Sequence, residues 1–317
     1  MTLFELVKIK KELLTFSTQD IRDGLASADK DLTRFYDTFF PFDFAGRKDM
    51  INNVTNATQE IDHIDENVGK LLASIEEKIN GITQNYLARG YIVADCFGSN
   101  STDISGERGR TLFINDEVRS YVIGKIRAHT LWQYPSLEIG PGDGIWTAHM
   151  IAADPLYLLD VHQEFLDSSI KQFPIEFQRR VCGYLTGQAA EKSDTDLSEL
   201  PRNQFGFVFS WNLFDYFPLA HIDAYLKECY EILRPGGVMM FSYNNCDDLH
   251  FVSMVENGMK SWMTPKLLKE TCEKNGFEII YMEEREKVAS WIEIKKPGVL
   301  ETVKRHQVMG ELRSSGT

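Results

Sequence analysis

Two apolar runs joined through a glycine-rich turn constrain this chain more than any other feature. Residues 137–144 read Leu-Glu-Ile-Gly-Pro-Gly-Asp-Gly, and a second run, Tyr157-Leu158-Leu159, ends in Asp160. The first run reads as a strand entering a turn, and Trp146 to Ala153 reads as the helix that follows. Gly140 and Gly142 lack a Cβ, so the backbone there can turn tightly and a ligand can approach it closely. A carboxylate at the tip of the next strand, twenty residues past Gly140, is placed to accept both hydroxyls of a ribose.

The glycine spacing separates kinds of nucleotide site. A dinucleotide fingerprint is Gly-x-Gly-x-x-Gly, packed against a pyrophosphate at a helix N-terminus. Here the pattern is Gly140-x-Gly142-x-Gly144, preceded by Glu138. An acid in that place is unwelcome beside a phosphate but suits a ligand carrying an ammonium and a sulfonium. The stretch resembles the first motif of the class I S-adenosylmethionine-dependent methyltransferases, with Asp160 similar to that family's ribose-binding acid. The resemblance implies S-adenosylmethionine as cofactor, with Glu138, Gly140, Pro141, Gly142, Gly144, Asp160, Val161 and His162 around it.

Further segments resemble the family in order. Arg180 to Tyr184 reads as a third strand, behind which the family places an adenine-contacting Gly-Asp. This chain has Gly187-Gln188 and then an acidic stretch from Glu191 to Glu199. Gln188 is the expected adenine partner, with Asp194 and Asp196 competing for the role. Phe205 to Ser210 is a continuous apolar run, as a strand covered on both faces should be. It leads into Trp211-Asn212-Leu213-Phe214-Asp215-Tyr216-Phe217-Pro218, similar to the fourth family motif beside the cofactor's sulfur. Ser210, Trp211 and Asn212 are therefore expected at the cofactor. Trp211 either covers the adenine or sulfonium or fills the core with Phe214. Asp215 and Tyr216 are expected near the acceptor.

Ile222 to Leu233 has the pattern of an amphipathic helix, stopped by Arg234-Pro235-Gly236-Gly237, where proline and glycine cannot continue it. Val238 to Ser242 then reads as the fifth strand, and this helix–turn–strand passage closely matches the family. After it, Tyr243 and His250 bracket a polar loop able to orient an acceptor or take its proton. Thr264 caps a helix running to Asn275, with Pro265 in its first turn and Gly276 beyond its end. Phe277–Tyr281 and Ser290–Ile294 look like the family's antiparallel closing pair. The resemblance thus implies an α/β, Rossmann-like fold over residues 131–297: a mostly parallel seven-stranded sheet with helices on both faces. Residues 298–317 read as a charged tail.

Residues 1–130 are helical in pattern and carry no recognisable chemistry. Val54, Ala57, Ile61, Ile64, Val68, Leu71, Ile75, Ile79 and Ile82 recur at close to heptad spacing. Such a stripe fits a coiled coil, most simply a homodimer through residues 54–84, or a long helix packed on the chain's own helices. Residues 97–111 are polar and rich in glycine and serine, and read as a loop that is either a lid or a plain linker.

The net charge of −13 counts against a nucleic-acid surface, which usually shows a basic excess. The five cysteines are scattered without Cys-x-x-Cys spacing, so no metal site is expected and they read as reduced cytoplasmic thiols. No run approaches the roughly 20 apolar residues a membrane span requires, and the N-terminus lacks the pattern of a signal peptide. Acidity points to a small-molecule acceptor, or a sugar or lipid precursor. Two other readings stay open: another S-adenosyl transfer such as aminopropyl transfer, and a catalytically silent methyltransferase-like assembly protein.

Overall fold

The computed structural model describes residues 1–39, 43–88, 116–142, 144–186, 195–283 and 289–301, with side chains to residue 84 in the second stretch. The expected lid at 97–111, Gln188 and Asp194, and most of the 298–317 tail lie outside the described residues. The chain divides into two compact units, Met1–Gln84 and Asn85–Thr317.

The first unit holds three helices: α1 (Leu3–Thr15), α2 (Gln19–Phe39) and α3 (Phe44–Ala88). The Thr2 side chain accepts from the Glu5 N–H while Glu5 reaches back to the Thr2 N–H, a reciprocal cap that starts α1. Arg22 of α2 donates to Asp62 and Asp65 of α3 at 2.7 and 2.6 Å, and Arg47 meets Asp37 at 2.8 Å. The helices are thus joined by surface ion pairs, each worth little in water. No residue of α2 is buried. The heptad stripe lies wholly within α3: Ile61, Ile75 and Ile79 are buried, whereas Ile64 and Leu71 are exposed.

The second unit is built on a seven-stranded sheet in the order β3-β2-β1-β4-β5-β7-β6. Its strands are β1 (Ser136–Ile139), β2 (Leu156–Asp160), β3 (Val181–Leu185), β4 (Phe205–Ser210), β5 (Leu233–Tyr243), β6 (Glu278–Met282) and β7 (Ser290–Lys295). Strands β1 to β5 run parallel, and β7 pairs antiparallel with both β5 and β6. The strand order reverses between β1 and β4, so the crevice beyond their carboxyl ends is where an open α/β sheet binds its ligand.

The apolar run of β4 is buried at all six positions. One face of the sheet packs against α7 (Leu219–Ile232) and α9 (Pro265–Lys274) through Ile222, Leu226, Cys229, Leu268 and Cys272. The other packs against α4 (Asp116–His129) through Val118, Val122 and Ile126. Helix α5 (Gln163–Lys171) follows β2, the single turn α6 (Ile175–Gln178) leads into β3, and α8 (Leu249–Glu256) follows β5.

Three local expectations are corrected. The stretch after the glycine turn forms only a 3₁₀ turn at Thr147–Met150, with His149 bonded back to Trp146 and Ala153 to Met150. Pro155 has no N–H to continue a helix, and β2 begins at the next residue. The fifth strand starts earlier than its apolar run, because Leu233 already pairs with Phe205 ahead of a register shift. The polar loop after Ser242 contains a helix, α8, capped by Asp248, whose carboxylate accepts from the His250 N–H at 2.9 Å.

Candidate functional site

The site begins where β1 ends. Gly140, Gly142 and Gly144 have φ of +70°, +56° and +82°, the left-handed region that a residue with Cβ enters only at a cost. Sterics add to this at Gly144, where a Cβ would sit 1.7 Å from Gln172 Nε2 and 3.0 Å from Ser169 Cα. The loop is anchored at both ends. Gly140 N–H donates to the Leu159 carbonyl of β2 at 2.8 Å, and Gly144 N–H donates to the Pro141 carbonyl at 2.9 Å.

Two residues that the sequence did not single out brace this loop from α5. Ser169 Oγ donates to the Gly142 carbonyl at 2.9 Å, and Gln172 Nε2 donates to the Gly144 carbonyl at 2.9 Å. Their only sequence signal is polar side chains three apart, alternating with Leu166 and Ile170 on one helix.

Asp160 ends β2 and is 8% exposed. Burial pushes its carboxyl above the ordinary value, while the backbone N–H groups of His162, Val161 and Gly142 offset part of that effect. His162 N–H donates to Asp160 Oδ1 at 2.9 Å. Each carboxylate oxygen carries two lone pairs, so the group keeps capacity for further donors such as a ribose diol. His162 also begins α5, its ring edge-on to Phe165. Val161 is half-buried and Pro141 buried. Glu138 lies inside β1, 2% exposed, in register with Leu158 and Phe209.

Beyond β4 the residues expected at the cofactor divide. Ser210 Oγ donates to the Ile139 carbonyl at 2.8 Å, strapping the end of β4 to the end of β1. Trp211 follows Phe207 and Phe209 at period two, so it joins the core on the α4 side. There it meets Trp146 at 5.4 Å, Phe209 at 6.2 Å and Trp291 at 6.1 Å. Phe214 fills the opposite core. Asn212 takes φ +55°, and its N–H donates to Ser242 Oγ at 2.7 Å. Asp196, one of the competing adenine partners, accepts from the Ser198 N–H at 2.8 Å.

The four residues expected near the acceptor are placed differently from one another. Asp215 is 4% exposed and ion-paired with Lys260 at 2.6 Å. Tyr216 is half-buried, its ring centroid 5.7 Å from Lys260 Nζ. Tyr243 is 2% exposed and donates its hydroxyl to the Glu283 carbonyl at 3.2 Å, which assigns it to the packing of β5. His250 is exposed at the start of α8, beside Phe251. Neither Ser242 nor Lys260 carried a sequence signal.

Of the cysteines described, Cys229, Cys246 and Cys272 are buried, and desolvation raises all three thiols, to about 12 at Cys246 and Cys272. That leaves them protonated and unreactive at neutral pH. Among the described residues, no three His, Cys, Asp or Glu gather as metal ligands would. Nor is any described helix long and apolar enough to cross a membrane.

Residues 130–282 match the sequence model of a methyltransferase domain family. No curated protein matches the chain. Among solved structures, the chain is similar to a methyltransferase from Haloferax volcanii in complex with the Trm112 methyltransferase activator, at 12% identity and TM-score 0.50. That match covers 64% of this chain and 97% of the other. An S-adenosylmethionine-dependent methyltransferase from Mesorhizobium loti is 14% identical, with TM-score 0.44 over 54% of this chain and 96% of that one. One from Aquifex aeolicus is 15% identical, with TM-score 0.42 over 62% and 97%. At 12% identity the first of these likenesses is one of fold.

Proposed function

We propose that this enzyme, whose residues 130–282 match a methyltransferase domain family, is a class I S-adenosylmethionine-dependent methyltransferase that methylates a small molecule, or a sugar or lipid precursor. The single observation that carries the cofactor half of the reading is the pairing of three left-handed glycines after β1 with a buried carboxylate at the tip of β2. Asp160 accepts the hydrogens of both ribose hydroxyls, held in place by the His162 N–H. Gly140, Pro141, Gly142 and Gly144 let the ligand approach the backbone, with Ser169 and Gln172 keeping the loop carbonyls turned toward α5. Glu138, Val161, His162, Ser210 and Asn212 complete the surroundings. Gln188 remains the proposed partner of the adenine edge.

When bound, S-adenosylmethionine supplies a methyl group on a sulfonium, whose sulfide is a ready leaving group. What the protein must add is alignment of the acceptor opposite that group. A general base is needed only where the accepting atom carries a proton at neutral pH, as a hydroxyl does. His250, exposed at the start of α8, is the group we assign to that proton, and Tyr216 the group that orients the acceptor. Asp215 and Tyr243 support the site from within the packing.

The acidic chain, at net charge −13, favours a neutral or cationic small acceptor in the cytoplasm over nucleic acid. Incubating the protein with S-adenosylmethionine and panels of small hydroxy and amino compounds tests this. Acceptor-dependent formation of the demethylated cofactor, reduced in His250→Ala, supports the assignment. Turnover with transfer RNA or protein alone contradicts it.

A second reading has its own observation. Ile64 and Leu71 expose the α3 stripe to solvent, which favours a homodimeric coiled coil through residues 54–84. Sedimentation of wild type and Leu71→Asp separates the cases: a dimer converted to monomer supports it, and a monomeric wild type rejects it.

A further inference from the structure

The turn after β4 is held by a buried relay that starts in the segment following α8. Asn212 sits at φ +55° without being glycine, a left-handed conformation that asparagine enters more readily than most residues with a Cβ. Its N–H donates to Ser242 Oγ at 2.7 Å. A hydroxyl has one hydrogen, and that of Ser242 goes to Asp215 Oδ1 at 2.8 Å. Lys260 Nζ donates to Asp215 Oδ2 at 2.6 Å, and Ser261 N–H donates to the Asp215 carbonyl at 2.9 Å. Ser242, Asp215 and Lys260 are 2%, 4% and 7% exposed, so water replaces none of these bonds at small cost. At the other end of the relay, Leu213 follows Asn212 directly. Its Cδ2 lies 2.8 Å from where a Cβ on Gly140 would be.

We infer that Lys260 is a positioning residue for methyl transfer: acting through Asp215 and Ser242, it holds the Asn212–Leu213 turn against Gly140 and so sets the cofactor loop. This rests on the reading of the glycine loop as the S-adenosylmethionine site. The segment after α8 is then linked to the glycine loop by hydrogen bonds as far as Asn212 and by the packing of Leu213 beyond it. The charge of Lys260 is paired with that of Asp215 at 2.6 Å. Removing the amine alone strands a buried carboxylate, whereas removing both charges leaves a neutral site that can still take the Ser242 hydrogen.

The test is calorimetric binding of S-adenosylmethionine to wild type, Lys260→Met, Ser242→Ala and the double variant Asp215→Asn/Lys260→Met, each checked for folding by thermal unfolding. Lys260→Met and Ser242→Ala are each expected to weaken binding about tenfold. The double variant is expected to recover to within about threefold of wild type, a rescue that general loss of packing would not give. Folded Lys260→Met binding as wild type does, or a double variant as weak as the single one, overturns the inference. If Lys260→Met does not fold, Ser242→Ala decides: weakened binding supports the relay and unchanged binding rejects it. A wild type that binds no S-adenosylmethionine refutes the underlying site, and the relay's role with it.

Discussion

The glycine loop after β1 and the long helix α3 both interrupt an apolar pattern with glycine, and they do so to opposite effect. In the loop each glycine has positive φ, and at Gly144 a side chain would collide with α5. In α3, a Cβ added at Gly69 or Gly81 meets nothing within 4 Å among the described residues, so each glycine there weakens the helix with no compensating contact among them. The apolar residues follow suit. Strand β4 buries every position of its run, while the α3 stripe leaves Ile64 and Leu71 in solvent. A pattern that names an element does not name what covers it. Only a pattern that also dictates backbone geometry points to a ligand.

Substituting glycines on the two sides of this contrast sharpens it. Gly144→Ala should be the most damaging change, destabilising by about 2–3 kcal/mol through left-handed strain and displacement of Gln172. That lowers the melting temperature by roughly 4–12 °C for a unit of this size, and cofactor binding should fall with it. Next in size is a pH effect on cofactor binding expected from Asp160. In the proposed site it is the ionised form of Asp160 that accepts the ribose hydrogens, and burial raises its carboxyl above the ordinary 3.8. Affinity should therefore be constant at high pH and fall by up to about tenfold per unit below the raised value, beginning above pH 3.8. The sign for stability is opposite. A raised folded-state value means the native protein holds the proton more tightly, so this group's contribution declines as pH rises through it. Calorimetric titration across pH, with circular dichroism to confirm folding, checks both.

Smaller again is Ser169→Ala, which removes the bond to the Gly142 carbonyl. It should cost about 1 kcal/mol, seen as a severalfold loss of cofactor affinity with the fold retained. At the far end, Gly69→Ala should stabilise the helical unit by about 0.5–1 kcal/mol. A destabilised Gly69→Ala would mean that α3 needs this glycine for a partner's close approach.

What was legible in the sequence follows the same division. Gly140, Gly142 and Gly144 could be read because few residues satisfy a left-handed turn, and the place of Asp160 could be read because an apolar run ends at it, as β2 does. Strand β4 and helix α9 could be read from a continuous apolar run and from the Thr264–Pro265 start, whose hydroxyl accepts from the Leu267 N–H. Helix α8 was hidden because its cap, Asp248, sits among polar residues that also suit a loop. Trp211 was ambiguous because an aromatic residue at a strand end suits either a cofactor or a core, and only the period of β4 decides. Ser242 and Lys260 were invisible: the bonds they make join residues far apart in the chain, and a serine or lysine alone has no preferred partner. The 3₁₀ turn at Thr147–Met150 was missed because composition favoured helix where Pro155 and the early start of β2 left no room.

The most direct test of the central claim is calorimetric binding of S-adenosylmethionine and its demethylated product to wild type and Asp160→Ala, with NAD as control. Loss of two charge-assisted hydrogen bonds should weaken both ligands by about a hundredfold or more, with NAD binding to neither protein. Equal binding by Asp160→Ala, or a preference for NAD, would contradict the account.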